Sequence, residues 1–434
     1  MPSVTGNGLL PRTTGAMGKK KSIGIVAFGT LGDVFPIVGL AEALTKHCDV
    51  TVVTSAVYAK YFERKCCRVV EVLSAERHGA AVDALDLSTR EGVRRYLTDY
   101  LIAALSISIP ALLSIEKKDP FDAFLGAGFI NAGQWVAEIL GKPYIRISLS
   151  PFSDKEVVLS EMCAQNGTAR KTRMFLCRAA LRLAGWYHYV TFVNKYLNPV
   201  RRRFGLGDYN STNLFFEPYS ALRIALYPAW LVPASSGSVP IHFTNFPLSD
   251  PSSEAVVRRT EAVLNRCGRE PLVFVVSSGM SDVLRHIQYA YSLCSLTGVP
   301  GVFVHAGSAQ FQDHSFKNLS LLEFADLSGL LPRARLVIHH GGIGTIAQSL
   351  LAGIPQLVRP AAFDQHDNAM RIARLNVGLG VKREHQFDVE YSAKLVEQLT
   401  SSAVVAEAVR ACRSNVIRTN GVQDASACIV RYLE

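Results

Sequence analysis

Ile338-His339-His340-Gly341-Gly342-Ile343-Gly344-Thr345, followed one helix length later by Phe363-Asp364-Gln365-His366-Asp367-Asn368, is the stretch that decides how this chain folds. Arg335-Leu-Val-Ile338 is a short apolar run that ends in two histidines. Gly341 and Gly342 remove side chains, so an anion can approach the backbone. Gly344 to Leu351 then has helical spacing, with Ile346, Leu350 and Leu351 apolar, and stops at Gly353-Ile354-Pro355. A strand, a glycine turn and a helix start form an anion site from backbone N–H groups and the helix dipole. His340 can add a hydrogen bond, and a positive charge when protonated. His339 is its neighbour on the strand and so points to the other face, where a buried core histidine is expected.

Working outward, the same strand–helix alternation recurs on both sides. Ser22 to Phe28 reads as a buried strand, followed by Gly29-Thr30-Leu31-Gly32-Asp33 and a helical segment with Val38, Ala41 and Leu44 on one face. Pro36 sits near that helix start, where its missing N–H is harmless. Val50–Thr54 is the next strand, so a parallel pair with a right-handed crossover is expected. Helix is expected over 91–116 and 131–140, and strand over 121–125, 143–148, 221–226 and 241–245. In the second half, strands are expected at 272–276 and 301–305, with a helix over 282–296 between them.

These patterns predict an α/β chain of two doubly wound, Rossmann-like domains facing a central cleft. The expected division is a disordered lead over 1–21, a first domain over 22–248, a linker over 249–270 and a second domain over 271–415. A C-terminal helix is expected over 416–434, with the first domain as its candidate packing partner.

The 434 residues are 49% hydrophobic and 19% charged, which excludes a disordered chain. Lys and Arg exceed Asp and Glu, 46 against 36, for a net +10. Such a surplus suits nucleic acid, an anionic membrane surface or an anionic substrate. No zinc-finger spacing or aromatic-basic RNA-binding run is present, so a nucleic-acid partner is not expected. The nine cysteines are scattered without a C-x-x-C pair, which points to reduced thiols and a cytoplasmic setting. No apolar run reaches the roughly 18 residues of a membrane helix, and residues 1–21 lack the apolar segment of a signal peptide.

The glycine–histidine turn and the acidic pair together resemble the donor signature of glycosyltransferases of the UDP-glycosyltransferase superfamily, which have the GT-B fold. The resemblance runs from Leu330-Leu331-Pro332 to Gln365 and includes Gly353-Ile354-Pro355. It implies that His340, Gly342, Gly344 and Thr345 hold the donor diphosphate and that Asp364 and Gln365 hold the sugar hydroxyls. Ser277, Ser278 and Gly279, at the end of the first strand of the second half, are further candidate donors to the phosphates. Phe324 and Ala325 are candidates for the nucleobase pocket.

Gly29-Thr-Leu-Gly-Asp-Val-Phe-Pro resembles the opening of bacterial members with Gly-x-x-Gly-Asp-Val, in which the aspartate is the acceptor base. Asp33 is therefore the candidate catalytic base, and a helix-capping role is the competing reading. The His–Asp pair of plant-type members is not expected: no histidine occupies that loop and no carboxylate stands at the corresponding place, Gly126-Ala127. A dinucleotide-binding loop is disfavoured, because only Gly29 and Gly32 are present and Asp33 would repel a pyrophosphate. Leu226-Tyr-Pro-Ala-Trp230 and Phe246-Pro-Leu248 extend the likeness to the rhamnosyltransferases of rhamnolipid synthesis and to sterol glucosyltransferases. The likeness is patchy over the acceptor-facing residues between 60 and 220.

The resulting expectation is an inverting transfer of a sugar from a UDP- or TDP-sugar to a hydroxyl of an apolar lipid, sterol or aromatic acceptor. No cofactor or metal is expected beyond the nucleotide sugar itself. A nucleotide-sugar 2-epimerase and a non-catalytic sugar-nucleotide-binding partner are the alternatives. The basic, aromatic-rich stretch 170–203 admits two readings: a peripheral membrane or lipid-facing surface, and a solvated helix face over ordinary core.

Overall fold

A computed structural model describes residues 20–65, 67–83, 89–128, 131–154, 157, 183, 186–187, 189–209, 220–232, 240–248, 252–268, 270–277, 279–280, 282–311 and 316–434. Ser278, residues 1–19 of the expected lead, and Arg170, Lys171, Arg173, Arg178 and Arg182 of the basic stretch lie outside these residues.

The first sheet is built from β1 (Ser22–Ala27), β2 (Asp49–Ser55), β3 (Arg68–Leu73), β4 (Ala123–Ala127), β5 (Tyr144–Ser148), β6 (Leu222–Ala225) and β7 (His242–Phe243). Its order is β3-β2-β1-β4-β5-β6-β7, with every pairing parallel. The order reverses between β1 and β4, the position where doubly wound sheets open a crevice at their carboxyl ends. The second sheet consists of β8 (Leu272–Val275), β9 (Gly301–Val304), β10 (Leu319–Leu322), β11 (Leu336–His339), β12 (Gln356–Val358) and β13 (Gly378–Gly380). It is also parallel, in the order β10-β9-β8-β11-β12-β13, and switches between β8 and β11. The central strands are buried on both faces, which is why β1 and β8 read as unbroken apolar runs.

The two halves share a core. Tyr227, Leu231 and Phe246 of the first half pack with Ile346, Leu350, Ile372 and Val416 of the second. Buried Arg371 donates from Nε to Asp367 at 2.8 Å and from Nη1 to the Leu231 carbonyl at 3.2 Å, and Arg374 reaches the same carbonyl at 2.8 Å. The last helix, Gly421–Leu433, lies on the Leu31–Thr45 helix and buries Ala425 and Ile429 in the first core.

Three sequence expectations need correction. The stretch 249–270 is not a linker throughout: Glu254–Cys267 is a helix capped by Ser253, and Val263 and Leu264 are buried with β8 and β9 residues. A segment long and apolar enough to cross a membrane does exist, Tyr96–Glu116 with mean hydropathy 1.6. Its Ala104, Leu105, Ile109 and Leu112 are buried inside the protein. Lastly, Arg201 is not part of a solvated cationic face. It is 3% exposed, bridges to Glu138 at 2.7 Å and stacks 4.0 Å from the Tyr209 ring. Leu183, Trp186 and Tyr187 of the same stretch are exposed.

Candidate active site

The carboxyl ends of the two sheets face one cavity of about 570 Å³, and residues of both halves line it. Its walls include Asp33, Ser277, Phe324, Ala325, His340, Gly342, Gly344, Thr345, Asp364 and Gln365. The fold thus brings all of these sequence-expected residues together. Gly279 is not among the lining residues, and its N–H is taken by Ser277 Oγ at 3.4 Å, so it is not a free phosphate donor.

The first wall is the loop after β1. Gly29 has φ +124°, and a Cβ there would lie 2.5 Å from Asp33 Oδ2, so only glycine permits the loop to close on the carboxylate. Tyr58 donates its hydroxyl to the Gly29 carbonyl at 2.9 Å and so pins the loop from β2's side. Asp33 Oδ2 accepts from Thr30 N at 2.8 Å and from Thr30 Oγ1 at 2.9 Å, the acidic half of a capping box on the Leu31–Thr45 helix. The capping reading of Asp33 is therefore correct as structure, yet it occupies one oxygen only. Burial raises the Asp33 carboxyl above its ordinary value, against the lowering effect of the two Thr30 hydrogen bonds. Such a group holds a proton more readily than a surface aspartate and is the better general base.

The second wall is the turn between β11 and the Ile343–Ala352 helix. Gly342 is the N-cap and no side chain among the described residues caps the helix, so its first N–H groups open onto the cavity. A Cβ on Gly342 would lie 2.6 Å from His340 Nε2, so glycine is what lets the imidazole turn toward the helix start. His340 Nδ1 contacts the Val275 carbonyl at 3.3 Å. A carbonyl only accepts, so Nδ1 carries the proton and neutral His340 presents a lone pair at Nε2. Burial lowers the His340 pKa. His339 faces away, with Nδ1 accepting from Gly341 N at 3.1 Å and Nε2 paired with Gln356 at 3.1 Å. It is the core histidine expected from its position.

The loop after β12 carries the acidic pair. Phe363 has φ 52°, an uncommon conformation for a non-glycine residue and a mark of local strain. Gln365 Oε1 holds the loop by accepting from Ala361 N at 2.8 Å and Ala362 N at 3.0 Å. Asn368 Nδ2 joins this loop to the Gly341-Gly342 turn through Gly341 O and Asp364 Oδ2, both at 2.9 Å. Burial lifts the Asp364 carboxyl, against the lowering effect of nearby Ser150 and Asn368.

Sequence reasoning missed several lining residues. His305, just beyond β9, sits beside Ser277 with Nε2 at 3.0 Å from its carbonyl; its place at a strand's carboxyl end was the available signal. Tyr96, Leu97 and Leu101 come from a π-helix, Tyr96–Leu101, that leads into the Ile102–Glu116 helix. With Phe28, Leu105 and Phe152 they make one end of the cavity apolar. No Lys or Arg lines the cavity among the described residues, so the surplus charge of the chain lies elsewhere. Nor does any cluster of metal-ligating side chains occur among them.

Comparison with known proteins agrees with this geometry. Residues 302–425 match the family model of the erythromycin biosynthesis protein CIII-like C-terminal domain. The elloramycin glycosyltransferase ElmGT of Streptomyces olivaceus is 41% identical over 76 residues, 17% of this chain and 20% of that protein. A sterol 3-beta-glucosyltransferase of Cryptococcus neoformans is 34% identical over 115 residues, 26% of this chain and 7% of that protein. The match therefore spans only a small part of these relatives. Among solved structures, the glycotransferase of kitacinnamycin superposes with TM-score 0.70 at 18% identity, over 96% of this chain and 100% of that one. Spinosyn rhamnosyltransferase SpnG complexed with thymidine diphosphate gives TM-score 0.61 at 16% identity, over 95% and 99%. The chain therefore has the GT-B fold of these solved structures, and its residues 302–425 match the EryCIII-like C-terminal domain.

Proposed function

We propose that the protein transfers a sugar from a nucleoside-diphosphate sugar to a hydroxyl of an apolar acceptor, with inversion at the anomeric carbon. The observation that carries this reading is the single cavity with Asp33 on one wall and the uncapped helix start beside His340 on the other. The donor diphosphate lies against the N–H groups of Ile343, Gly344 and Thr345, where the helix dipole offsets the charge that grows on the leaving group. Asp364 and Gln365 hold the sugar hydroxyls; Gln365 Nε2 makes no hydrogen bond among the described residues and is the available donor. Asp33 takes the acceptor proton as the hydroxyl attacks, and attack from the face opposite the diphosphate inverts the centre.

The apolar end of the cavity supports an acceptor over an epimerase, which would need no such room. An EryCIII-like domain and the thymidine diphosphate bound by SpnG favour natural-product acceptors and a TDP- or UDP-sugar. Exposed Leu183, Trp186, Tyr187 and Val190 support a peripheral contact with lipid, tested by co-sedimentation with anionic vesicles. A cytoplasmic location belongs to the same reading, consistent with free Cys48, Cys67, Cys267, Cys294, Cys412 and Cys428.

The test is a panel of nucleotide sugars against phenolic, macrolide and sterol acceptors, read by mass spectrometry. A glycosylated acceptor plus free nucleoside diphosphate is the expected product. Isomerised sugar formed from the donor alone would replace this reading with the epimerase.

A further inference from the structure

A second cavity, of about 670 Å³, lies behind the β8 and β11 strand ends. It shares His340 with the first cavity, but its chemistry is different. Arg285, Arg359 and Arg383 line it with His286 and His366, and no carboxylate does among the described residues. Arg359 is 7% exposed and forms no ion pair among them; its Nε and Nη2 both donate to the Gln386 carbonyl, Nε at 2.8 Å. Its guanidinium stacks 3.8 Å from the Tyr289 ring centre, and that of Arg285 lies 3.9 Å from the Phe387 ring centre. Stacking fixes the planes of two forks and leaves Nη1 of Arg359 and the N–H edge of Arg285 for a ligand. His286 is 7% exposed, and its Nδ1 has no hydrogen-bond partner among the described residues. Burial and the neighbouring Arg359 hold its pKa down to about 4, so it is neutral at pH 7. Asp282, the acid that acts on it, is spent capping the Val283–Thr297 helix through Arg285 N at 3.2 Å.

A buried guanidinium without a counter-charge and a buried ring nitrogen without a partner are both costly. One oxyanion would satisfy both, because Arg forks match carboxylate and phosphate geometry. We propose that this cavity is a second oxyanion site, separate from the donor diphosphate and taking a phosphate or carboxylate group. Two sources share this chemistry: a free oxyanion, and a carboxylate carried on the sugar of the donor. The second source rests on the proposed transfer reaction; the first does not.

The test titrates inorganic phosphate into the full-length protein by calorimetry, with and without nucleoside diphosphate. The expected result is one phosphate site that persists with nucleoside diphosphate present. Arg383→Gln, at an exposed residue, is expected to weaken phosphate at least tenfold, as is Arg359→Gln, whose fold is checked by melting. No phosphate binding, loss of it when nucleoside diphosphate is added, or unchanged affinity in Arg383→Gln would each overturn the proposal. A nucleoside-diphosphate hexuronate that displaces phosphate where the hexose analogue does not would place the anion on the donor sugar. Displacement by neither would make it a free oxyanion, and failure of every donor to bind would count against the transfer reaction alone.

Discussion

Asp33 and Asp364 approach the same cavity from opposite halves of the molecule, and the negative charge of Asp364 adds to the burial that lifts the Asp33 carboxyl above its ordinary range. One acid is held by Thr30 at the start of its own helix, the other by Asn368 one turn along the next helix. In the proposed reaction a sugar lies between them. The residue that orients the donor then also raises the basicity of the residue that deprotonates the acceptor.

This coupling gives a prediction with a definite sign. Asp364→Asn removes a nearby negative charge, so the Asp33 pKa falls. The acidic limb of the kcat/KM profile is expected to move to lower pH, while KM for the donor rises through loss of a sugar contact. A pH–rate series on both proteins reads the two effects separately. An acidic limb that stays in place would show that the two carboxylates are not coupled.

In the proposed reaction His340 makes donor binding depend on pH. Its free-state pKa is lowered by burial, and its Nδ1 proton is engaged with Val275. A phosphate oxygen at Nε2 needs a donor there, so binding favours the doubly protonated ring and takes up a proton. Affinity for nucleoside diphosphate is expected to rise as pH falls from 8 toward 6. His340→Ala should weaken binding about tenfold, the cost of one charge-assisted hydrogen bond, and flatten the dependence. Calorimetry in buffers of different ionisation enthalpy measures the proton directly; zero uptake would contradict the assignment. The nearby titratable groups are His305, whose pKa burial lowers, and the two acids, whose pKa values burial raises.

The final helix is expected to be integral to the first domain. Ile429 is fully buried against the Leu31–Thr45 helix region. Ile429→Ala should cost about 2–5 kcal/mol in urea unfolding, from lost transfer energy plus the residual cavity. A change below about 0.5 kcal/mol, the usual range for surface substitutions, would mean the helix is not docked in solution.

Much of the frame was legible because buried parallel strands leave unbroken apolar runs, as in Ser22–Ala27 and Leu272–Val275, and because each active loop comes directly after such a run. The glycine turn on the cavity wall was readable for a local reason: Gly342, His340 and the helix start are adjacent in sequence. Other features were not. The Glu254–Cys267 helix hid behind its Pro/Ser-rich lead, although Ser253, Thr260, Val263, Leu264 and Gly268 carry a cap, an inward face and a stop. The apolar end of the cavity depends on a π-helical register at Tyr96–Leu101, which no periodicity announces. The cation-lined second cavity gathers Arg285, Arg359 and Arg383 from three separate elements, and only the fold brings them together.

The most direct test of the division of labour between the halves is Asp33→Asn, with turnover and nucleoside-diphosphate affinity measured side by side. The native carboxyl has a raised pKa, so its charged form costs stability as pH rises above the ordinary carboxylate range. The neutral variant should therefore melt no lower than the native protein at pH 7. Turnover is expected to fall about 10²–10⁴-fold with donor affinity unchanged. Undiminished turnover in a folded, donor-binding variant would contradict the account.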